Sequence, residues 1–350
     1  MPALPPVDTL PRWIRQHPRS HEIESAYNIC LDLEDWIQHR ADLGKEKEKA
    51  LIHCRILGYL FLHFPSDNIG PFVREIVTIS GKHQALLDLG ERFYVYFVKL
   101  FTYKKGRTPM PSSHPSRLSV DDLVAKVEDE LKDAPQNHQK AKKLALIRDG
   151  FQCVVTKVYD RRTMYDNRTL QQAVLDGADA KCTECAHIFP ESISSEITPE
   201  NYAATVWAVL DRFGYRNLRQ DLNGARIHRL ENVMTMEAGV RLDFDELRIY
   251  FTATEVPNRY KLEAFREICL CQRPRYVTFS TPDADKYPLP NPTYLAIHAA
   301  CAKVAHHSGA AEHIEGVLKR MEDTLVLAED GGSSDVLYTA ILSSIHTLAV

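Results

Sequence analysis

The sequence predicts an α+β fold in which helical regions enclose a middle part with short strands. Apolar residues recur at three- and four-residue steps between His21 and Gly44, which is the spacing of one buried helix face. A second helical stretch, rich in alanine, begins at Thr293. Between them, residues 247–254 alternate apolar and polar side chains as a half-buried strand does. We therefore expect a small antiparallel sheet flanked by N- and C-terminal helical regions.

The first 104 residues predict a helical bundle that forms a domain of its own. Residues 1–20 contain five prolines and predict a poorly ordered N-terminal segment. Gly44 and Pro65 interrupt the apolar pattern that follows. Residues 105–118 have the Gly, Pro and Ser content of a linker. The expected helices of the bundle cover 21–43, 45–64, 70–80 and 83–103.

A second domain is predicted at 119–284, followed by a C-terminal helical region at 285–350. Ser119, with two aspartates behind it, predicts a helix N-terminus, because its hydroxyl can cap free amides and the carboxylates suit the positive end. Thr198 and Pro199 predict the start of another helix inside an insertion. Further elements are expected as helices at 119–133 and 137–148 and as strands at 152–158, 247–254, 260–265 and 275–280.

The charge balance excludes a protein that is basic throughout. Its 350 residues carry a formal net charge of −4 at pH 7, and 44% of them are hydrophobic, which allows a sizeable core. A nucleic-acid contact needs local Lys and Arg to neutralise phosphates, so it must be a patch in this chain. A solvated surface is the alternative interpretation of each basic cluster. The candidate nucleic-acid-binding residues are Lys142, Lys143, Arg148, Arg161 and Arg162.

No targeting or membrane segment is predicted. The most apolar stretch, Ile56 to Phe64, is far shorter than the roughly 20 residues of a membrane span, and residues 1–19 lack an apolar run. The eight cysteines therefore predict reduced thiols in an intracellular protein, in the cytoplasm or the nucleus. Cys182-x-x-Cys185 is the one Cys-x-x-Cys pair, but a structural zinc would need two more ligands at similar spacing, so we do not expect one.

Two short motifs dominate the middle of the chain. The first, Ala186-His187-Ile188, lies in an expected strand that Pro190 ends. The second carries Asn232 in an expected strand over 232–236, with a helix behind it from about Glu237. A His at the end of one strand, an Asn at the next and a helix after it resemble the HNH endonuclease family, with its ββα-metal finger.

The closer likeness is to the branch of this family whose first motif has the form Ala-His-Ile-x-Pro and whose last has the form Leu-His-x-x-Phe-Asp. Residues 148–156 look like the usual lead-in strand of that branch. Residues 228–235 are similar to forms seen in fungal proteins of unknown role. The resemblance covers roughly residues 140–260.

The resemblance implies hydrolysis of nucleic-acid phosphodiesters with a divalent cation, Mg²⁺ or Mn²⁺. His187 matches the general base, since a side chain with a pKa near neutrality can take a proton from water. Asn232 matches the residue that holds this His or contacts metal or phosphate. Arg241 replaces the family's final His, and Ala186 stands where many relatives bind metal. The metal ligands are therefore unknown, and the resemblance implies an activity that is weakened or lost.

With Arg241 in place of the family's final His, the positive charge that a bound metal would supply can come from two sources. Glu237, Arg241 and Asp245 lie four residues apart on one helix face, so a carboxylate could hold a metal if the Arg did not occupy the space. Alternatively, the guanidinium itself binds phosphate in a two-pronged manner.

Three hypotheses about function remain open on the sequence. The first is a metal-dependent HNH-type endonuclease with His187, Asn232 and Arg241 at its centre. The second is a catalytically inactive HNH fold that binds nucleic acid or a protein. The third is a helical scaffold in which residues 1–104 capture a protein partner, and a buried core histidine is the alternative role for His187. No membrane partner is expected.

Overall fold

The computed structural model describes residues 3–44, 46–102, 135, 137–193, 200–215 and 217–323, with the backbone alone described at 200–203 and 321–323. Helices and small sheets, two of them antiparallel, confirm the expected α+β fold. The helices are α1 (Arg12–Gln16), α2 (Ser20–Gln38), α3 (Glu46–Leu62), α4 (Gly70–Thr78), α5 (His83–Phe93), α6 (Lys99–Thr102), α7 (His138–Arg148), α8 (Arg161–Asp166), α9 (Arg168–Leu175), α10 (Glu200–Asp211), α11 (Leu218–Leu222), α12 (Ala238–Asp245), α13 (Pro292–Ser308) and α14 (Ala310–Asp323). The strands are β1 (Tyr159–Asp160), β2 (Ala180–Lys181), β3 (Thr183–His187), β4 (Val233–Glu237), β5 (Ile249–Ala253), β6 (Arg259–Ala264) and β7 (Tyr276–Thr278).

The chain divides into two compact units, each built from separate stretches of sequence. The first, which we call the helical unit, takes the described residues within 1–103, 200–219 and 299–323. The second, the finger unit, takes the described residues within 135–193 and 220–298. The N-terminal helices are therefore only part of the helical unit, which also includes α10 from the predicted insertion.

The N-terminal segment is packed against the rest of the helical unit, so the expectation of a poorly ordered segment at 1–20 is wrong for the described residues. Leu4 and Ile14 are buried, and the Leu4 amide donates a hydrogen bond to Glu34 Oε2 at 2.9 Å. Pro11 occupies the N-cap position of α1, where its fixed backbone angle favours the start of a helix. The prolines therefore shape this segment, and the apolar residues between them anchor it.

The expected bundle helices are confirmed as α2 to α6, with a π-helical turn at Tyr94–Val98 between α5 and α6. Aromatic rings fill the core of the helical unit. The ring of Phe213, which follows α10, lies with its centroid 5.4 Å from Phe64, 6.2 Å from Phe93 and 4.9 Å from Phe97. The insertion thus supplies a central side chain of this core.

The finger unit contains the predicted strand–strand–helix arrangement. Strands β3 and β4 pair antiparallel, with His187 opposite Val233 and Glu184 opposite Met236, and α12 follows directly after β4. Because side chains alternate along a strand, Cys185 and His187 lie on one face of this two-stranded ribbon, while Glu184 and Ala186 lie on the other. We call these the His187 face and the Arg241 face.

Each face of the ribbon is covered by its own helix. Helix α7 packs on the His187 face through a buried cluster that joins Ala141 and Leu144 to Cys185 and Val233. Helix α12 lies on the other face, where the Arg241 guanidinium bonds to Glu184. The ribbon is therefore the middle layer of this part of the finger unit.

The strands after the ribbon also follow the sequence. β5, β6 and β7 form an antiparallel sheet in that order, close to the predicted bounds. The expected strand at 152–158 is wrong, because Cys153 and Val158 close a tight turn in which the Lys157 backbone has a φ of +59°. Buried apolar side chains at 153–155 gave that turn the composition of a strand.

Several predictions fall outside the described residues: the linker at 105–118, the helix at 119–133 and the cap formed by Thr198 and Pro199. Among the described residues, none of the helices combines the length and the apolar character needed to cross a bilayer.

Candidate active site

His187 is the last residue of β3, and its side chain is buried among other titratable groups. Its Nδ1 lies 3.4 Å from Glu191 Oε1, and its Nε2 lies 3.3 Å from His228 Nδ1. Two ring nitrogens at that separation share a proton when no cation lies between them, since facing lone pairs would repel. The end of the strand is fixed by the Ile188 amide, which donates to Asn232 O at 2.8 Å. The imidazole therefore has a defined position next to a carboxylate.

Glu191 is the common neighbour of three imidazoles. Its Oε1 lies 2.9 Å from His138 Nδ1, 3.4 Å from His187 Nδ1 and 3.9 Å from His228 Nδ1. Burial alone would raise the pKa of Glu191, but the hydrogen bond to His138 and the charges of the three histidines lower it to about 2. Glu191 is thus an anion at neutral pH, and it draws positive charge to this place.

His138, Glu191 and His228 have no role that the sequence predicts. His138 is the first residue of α7, and His228 ends a short 3-10 helix at Gly224–His228. Burial lowers the pKa of His228, with an opposing effect of Glu191, so its neutral form is favoured. The one available signal was the i, i+4 spacing of His187 and Glu191, and the other two histidines join them only through tertiary contacts.

Asn232 fixes the backbone on both sides of this cluster. Its Oδ1 accepts from the Phe189 amide at 2.8 Å, and its Nδ2 donates to Phe189 O at 3.1 Å and to Ile227 O at 2.8 Å. Phe189 is two residues after His187, and Ile227 directly precedes His228. The carboxamide therefore holds the two histidine-bearing segments together, whereas the resemblance implied that it would hold the catalytic His itself or a metal.

Arg241 lies on the other face of the ribbon. Its guanidinium bonds to Glu184 Oε2 at 2.6 Å and to Asp245 Oδ2 at 3.1 Å, and the residue is 7% exposed. Burial would lower the pKa of Arg241, but the two carboxylates raise it above its usual value, so it stays protonated. Its charge is matched within the protein, and it occupies the place next to Asp245 that a metal would need.

Arg148 corrects part of the predicted nucleic-acid surface. Its side chain is 0% exposed, and it donates to Leu230 O and Val233 O, both at 2.7 Å, and to the Asp149 carboxylate. A guanidinium in this position connects α7 to β4 and does not reach a phosphate. Lys143 on the same helix is exposed, as are Arg161 and Arg162 on α8, whereas Lys142 is half-buried.

The fold and these contacts agree with what the comparison with protein families finds. Residues 153–252 match the family described as HNH endonuclease. This segment is similar to the HNH endonuclease family. The comparisons with curated proteins and with solved structures gave no match. The resemblance recognised in the two motifs is therefore confirmed at the level of the family.

The segment that matches this family contributes His187, Glu191 and His228 to the cluster, and α7, which precedes the segment, contributes His138. One donor atom from each of His187, Glu191 and His228 lies within 4.8 Å of the others, so these residues could hold a divalent cation. Imidazole nitrogen with a carboxylate suits Mn²⁺ or Zn²⁺ better than Mg²⁺, which prefers oxygen ligands. A second donor set comprises His138, Cys185 and His187.

Proposed function

We propose that this protein cleaves phosphodiester bonds of nucleic acid with the help of a divalent cation, at the cluster of His187, Glu191 and His228. The observation that supports it most is the convergence of these three side chains at the end of the first HNH strand. An imidazole, a carboxylate and a second imidazole in mutual reach can move a proton and hold a cation, which are two requirements of phosphodiester hydrolysis.

His187 is the general base of this proposal. Glu191 faces its Nδ1, which orients the ring and leaves Nε2 to take a proton from the attacking water. The ring of His228, whose Nδ1 lies 3.3 Å from that Nε2, places a proposed cation ligand next to the base. Asn232 positions both imidazoles through the backbone of Phe189 and Ile227, so we assign it a positioning role.

Glu191 and His228 would hold the cation. Their donor atoms, Oε1 and Nδ1, are 3.9 Å apart, and substrate phosphate and water can fill the remaining positions of the ion. When bound, a divalent cation supplies charge that stabilises the phosphate and the leaving oxygen. The exposed side chains of Lys143, Arg161 and Arg162 are the proposed contacts to the nucleic-acid backbone.

A cleavage assay with supercoiled plasmid and single-stranded nucleic acid tests this function. The full chain, first treated with a chelator, is incubated with Mg²⁺, Mn²⁺ or Zn²⁺. We expect Mn²⁺ to support cleavage better than Mg²⁺, and His187→Ala to lower the rate about 10²- to 10⁴-fold. His21→Ala, which removes an exposed histidine of the helical unit, is the matched control. A wild-type protein that cleaves no faster than His187→Ala in any metal would overturn the proposal.

One observation favours a second candidate, an HNH fold that binds nucleic acid without cutting it. Arg241 stands where the family's final His is expected, and its bonds to Glu184 and Asp245 remove those carboxylates from metal binding. In this case gel-shift experiments would show binding that falls steeply with salt, and no metal would produce cleavage.

A further inference from the structure

The His187 face carries a second set of possible metal ligands, and this set includes a thiol. One donor atom each from His138, Cys185 and His187 lies within 4.8 Å of the others. Cys185 and His187 are two residues apart on β3 and point to the same face, while His138 reaches that face from α7. Cys185 and His187 are buried and His138 is half-buried, so the set is shielded from bulk water.

His138 has the hydrogen bonding of a histidine prepared for a metal. Its Nδ1 is 2.9 Å from Glu191 Oε1, so the proton of the neutral ring belongs on Nδ1 and the lone pair on Nε2. That Nε2 is buried and has no hydrogen-bond partner among the described residues. Metal-bound histidines commonly donate their other ring N–H to a carboxylate, which fixes the tautomer. A buried nitrogen lone pair without a donor is what a cation would satisfy.

We propose that His138, Cys185 and His187 bind a thiophilic divalent cation of the Zn²⁺ class, and that this cation inhibits cleavage by taking His187 as a ligand. Two imidazoles and a thiolate, with a fourth position left open, are a donor set that Zn²⁺ accepts and Mg²⁺ does not. On binding, Cys185 loses its thiol proton to solvent and its sulfur bonds to the metal. The inhibitory part rests on the proposed function, whereas the binding part does not.

The geometry requires a modest movement of the side chains. Zn–N and Zn–S bonds of about 2.0–2.1 Å and 2.3 Å place tetrahedral ligands about 3.3–3.7 Å apart, so the donors must approach each other by up to about 1 Å. Cys185 is fixed in the ribbon, but His138 is in the first turn of α7, where its ring can adjust. The same movement draws Glu191 closer to the cation. Glu191 then contacts the ligand His138 and not the metal itself.

The binding test uses Co²⁺, which replaces Zn²⁺ and reports thiolate ligation through a charge-transfer band in the near ultraviolet. The full chain is stripped with a chelator and titrated with Co²⁺ under reducing conditions. We expect a band that Zn²⁺ abolishes by competition, that Cys185→Ala removes, and that Glu191→Gln weakens by about 10- to 100-fold in affinity. Cys301→Ala, an equally buried thiol of the helical unit, is the matched control and should keep the band.

A second variant keeps the binding test decisive if Cys185→Ala does not fold. His138→Ala changes only a half-buried ring at the start of a helix, and it should weaken Co²⁺ binding even if Cys185→Ala fails to fold. The exposed thiols of Cys182 and Cys271 give a weak background common to all variants. A band that survives both Cys185→Ala and His138→Ala would overturn the site.

The inhibition test measures Mn²⁺-supported cleavage while Zn²⁺ is added, with each variant normalised to its own rate without Zn²⁺. Wild type should be inhibited at Zn²⁺ concentrations that leave Cys185→Ala active, and Cys301→Ala should behave as wild type. Equal inhibition of Cys185→Ala would overturn the inhibitory role. A protein that cleaves in no metal would overturn the proposed function, and the Co²⁺ band would then still decide whether the thiolate site exists.

Discussion

The two faces of the β3–β4 ribbon deal with buried charge in opposite ways. On the Arg241 face, one guanidinium meets two carboxylates, Glu184 and Asp245, within 3.1 Å. On the His187 face, three imidazoles share the carboxylate of Glu191, and a buried ring nitrogen of His138 has no hydrogen-bond partner in the part of the chain that the structure describes. The charged groups on the Arg241 face are paired with one another. The His187 face keeps ring nitrogens that can still bind a proton or a cation.

This difference supports the proposed site on the His187 face. A saturated buried ion pair fixes one arrangement of helix and strand, because any ligand must first break its bonds. A group of histidines around one anion can exchange protons and accept a cation without losing its framework. The family motif directs attention to Arg241 and Asp245, but the available donors are on the opposite side of the ribbon.

The largest expected effect is at Arg148, the saturated charge that supports the His187 face. Arg148→Met removes the donors to Leu230 O and Val233 O and leaves the buried Asp149 carboxylate without its cation. We expect a loss of about 3–5 kcal/mol in the free energy of unfolding, measured by urea titration. Lys143→Met, on the exposed side of the same helix, should change it by less than about 0.5 kcal/mol. A small effect of Arg148→Met would mean that this face does not depend on the buried pair.

The next effect concerns the carboxylate of the histidine cluster. The pKa of Glu191 is about 2 in the folded protein, against an ordinary value of 4.5 in the unfolded chain, so its stabilisation is fully present above about pH 4.5 and is lost as the pH falls towards 2. At about 1.36 kcal/mol per pH unit, the whole contribution is about 3 kcal/mol. In chelator-treated protein, the stability difference between wild type and Glu191→Gln should shrink by about 2 kcal/mol between pH 6 and pH 3. A difference that stays constant over this range would contradict the ionised Glu191.

The comparison of the two faces also shows how far sequence reasoning reaches. Local patterns predicted the ribbon, α12 and the sheet of β5 to β7, because the period of the side chains and the turn residues act over a few positions. They placed His187 correctly at a strand end. They could not bring His138 to His187, since the two residues meet only after α7 packs on β3. Nor could they show that Arg148 is buried, because an Arg beside an Asp suits a surface as well as a core.

Arg241 should have a smaller effect than Arg148, and mainly on stability. Arg241→Met removes charged hydrogen bonds to Glu184 and Asp245, which costs about 1.5–3 kcal/mol. The triple variant Glu184→Gln, Arg241→Met, Asp245→Asn should recover most of this loss, because no charge is then left unpaired. Cleavage per folded molecule should fall far less than in His187→Ala. A loss of cleavage as large as that of His187→Ala would show that the Arg241 face takes part in the reaction after all.

The smallest effect on stability is expected at the exposed arginines of α8, where the consequence lies in binding. Arg161 and Arg162 are exposed, and Arg161 contacts only the Tyr165 hydroxyl, at 3.4 Å, among the bonds the structure shows for it. Replacing both by Ala should change the unfolding free energy by less than about 0.5 kcal/mol.

If both bind phosphates, the slope of log K against log salt should become less steep by about 1.8 on duplex DNA, because each phosphate contact contributes about 0.9. A pair of exposed glutamines in the helical unit, such as Gln38 and Gln84 changed to Ala, does not alter charge and should leave the slope unchanged. An unchanged slope in the arginine variant would place the nucleic-acid contact elsewhere and leave Lys143 as the remaining exposed candidate.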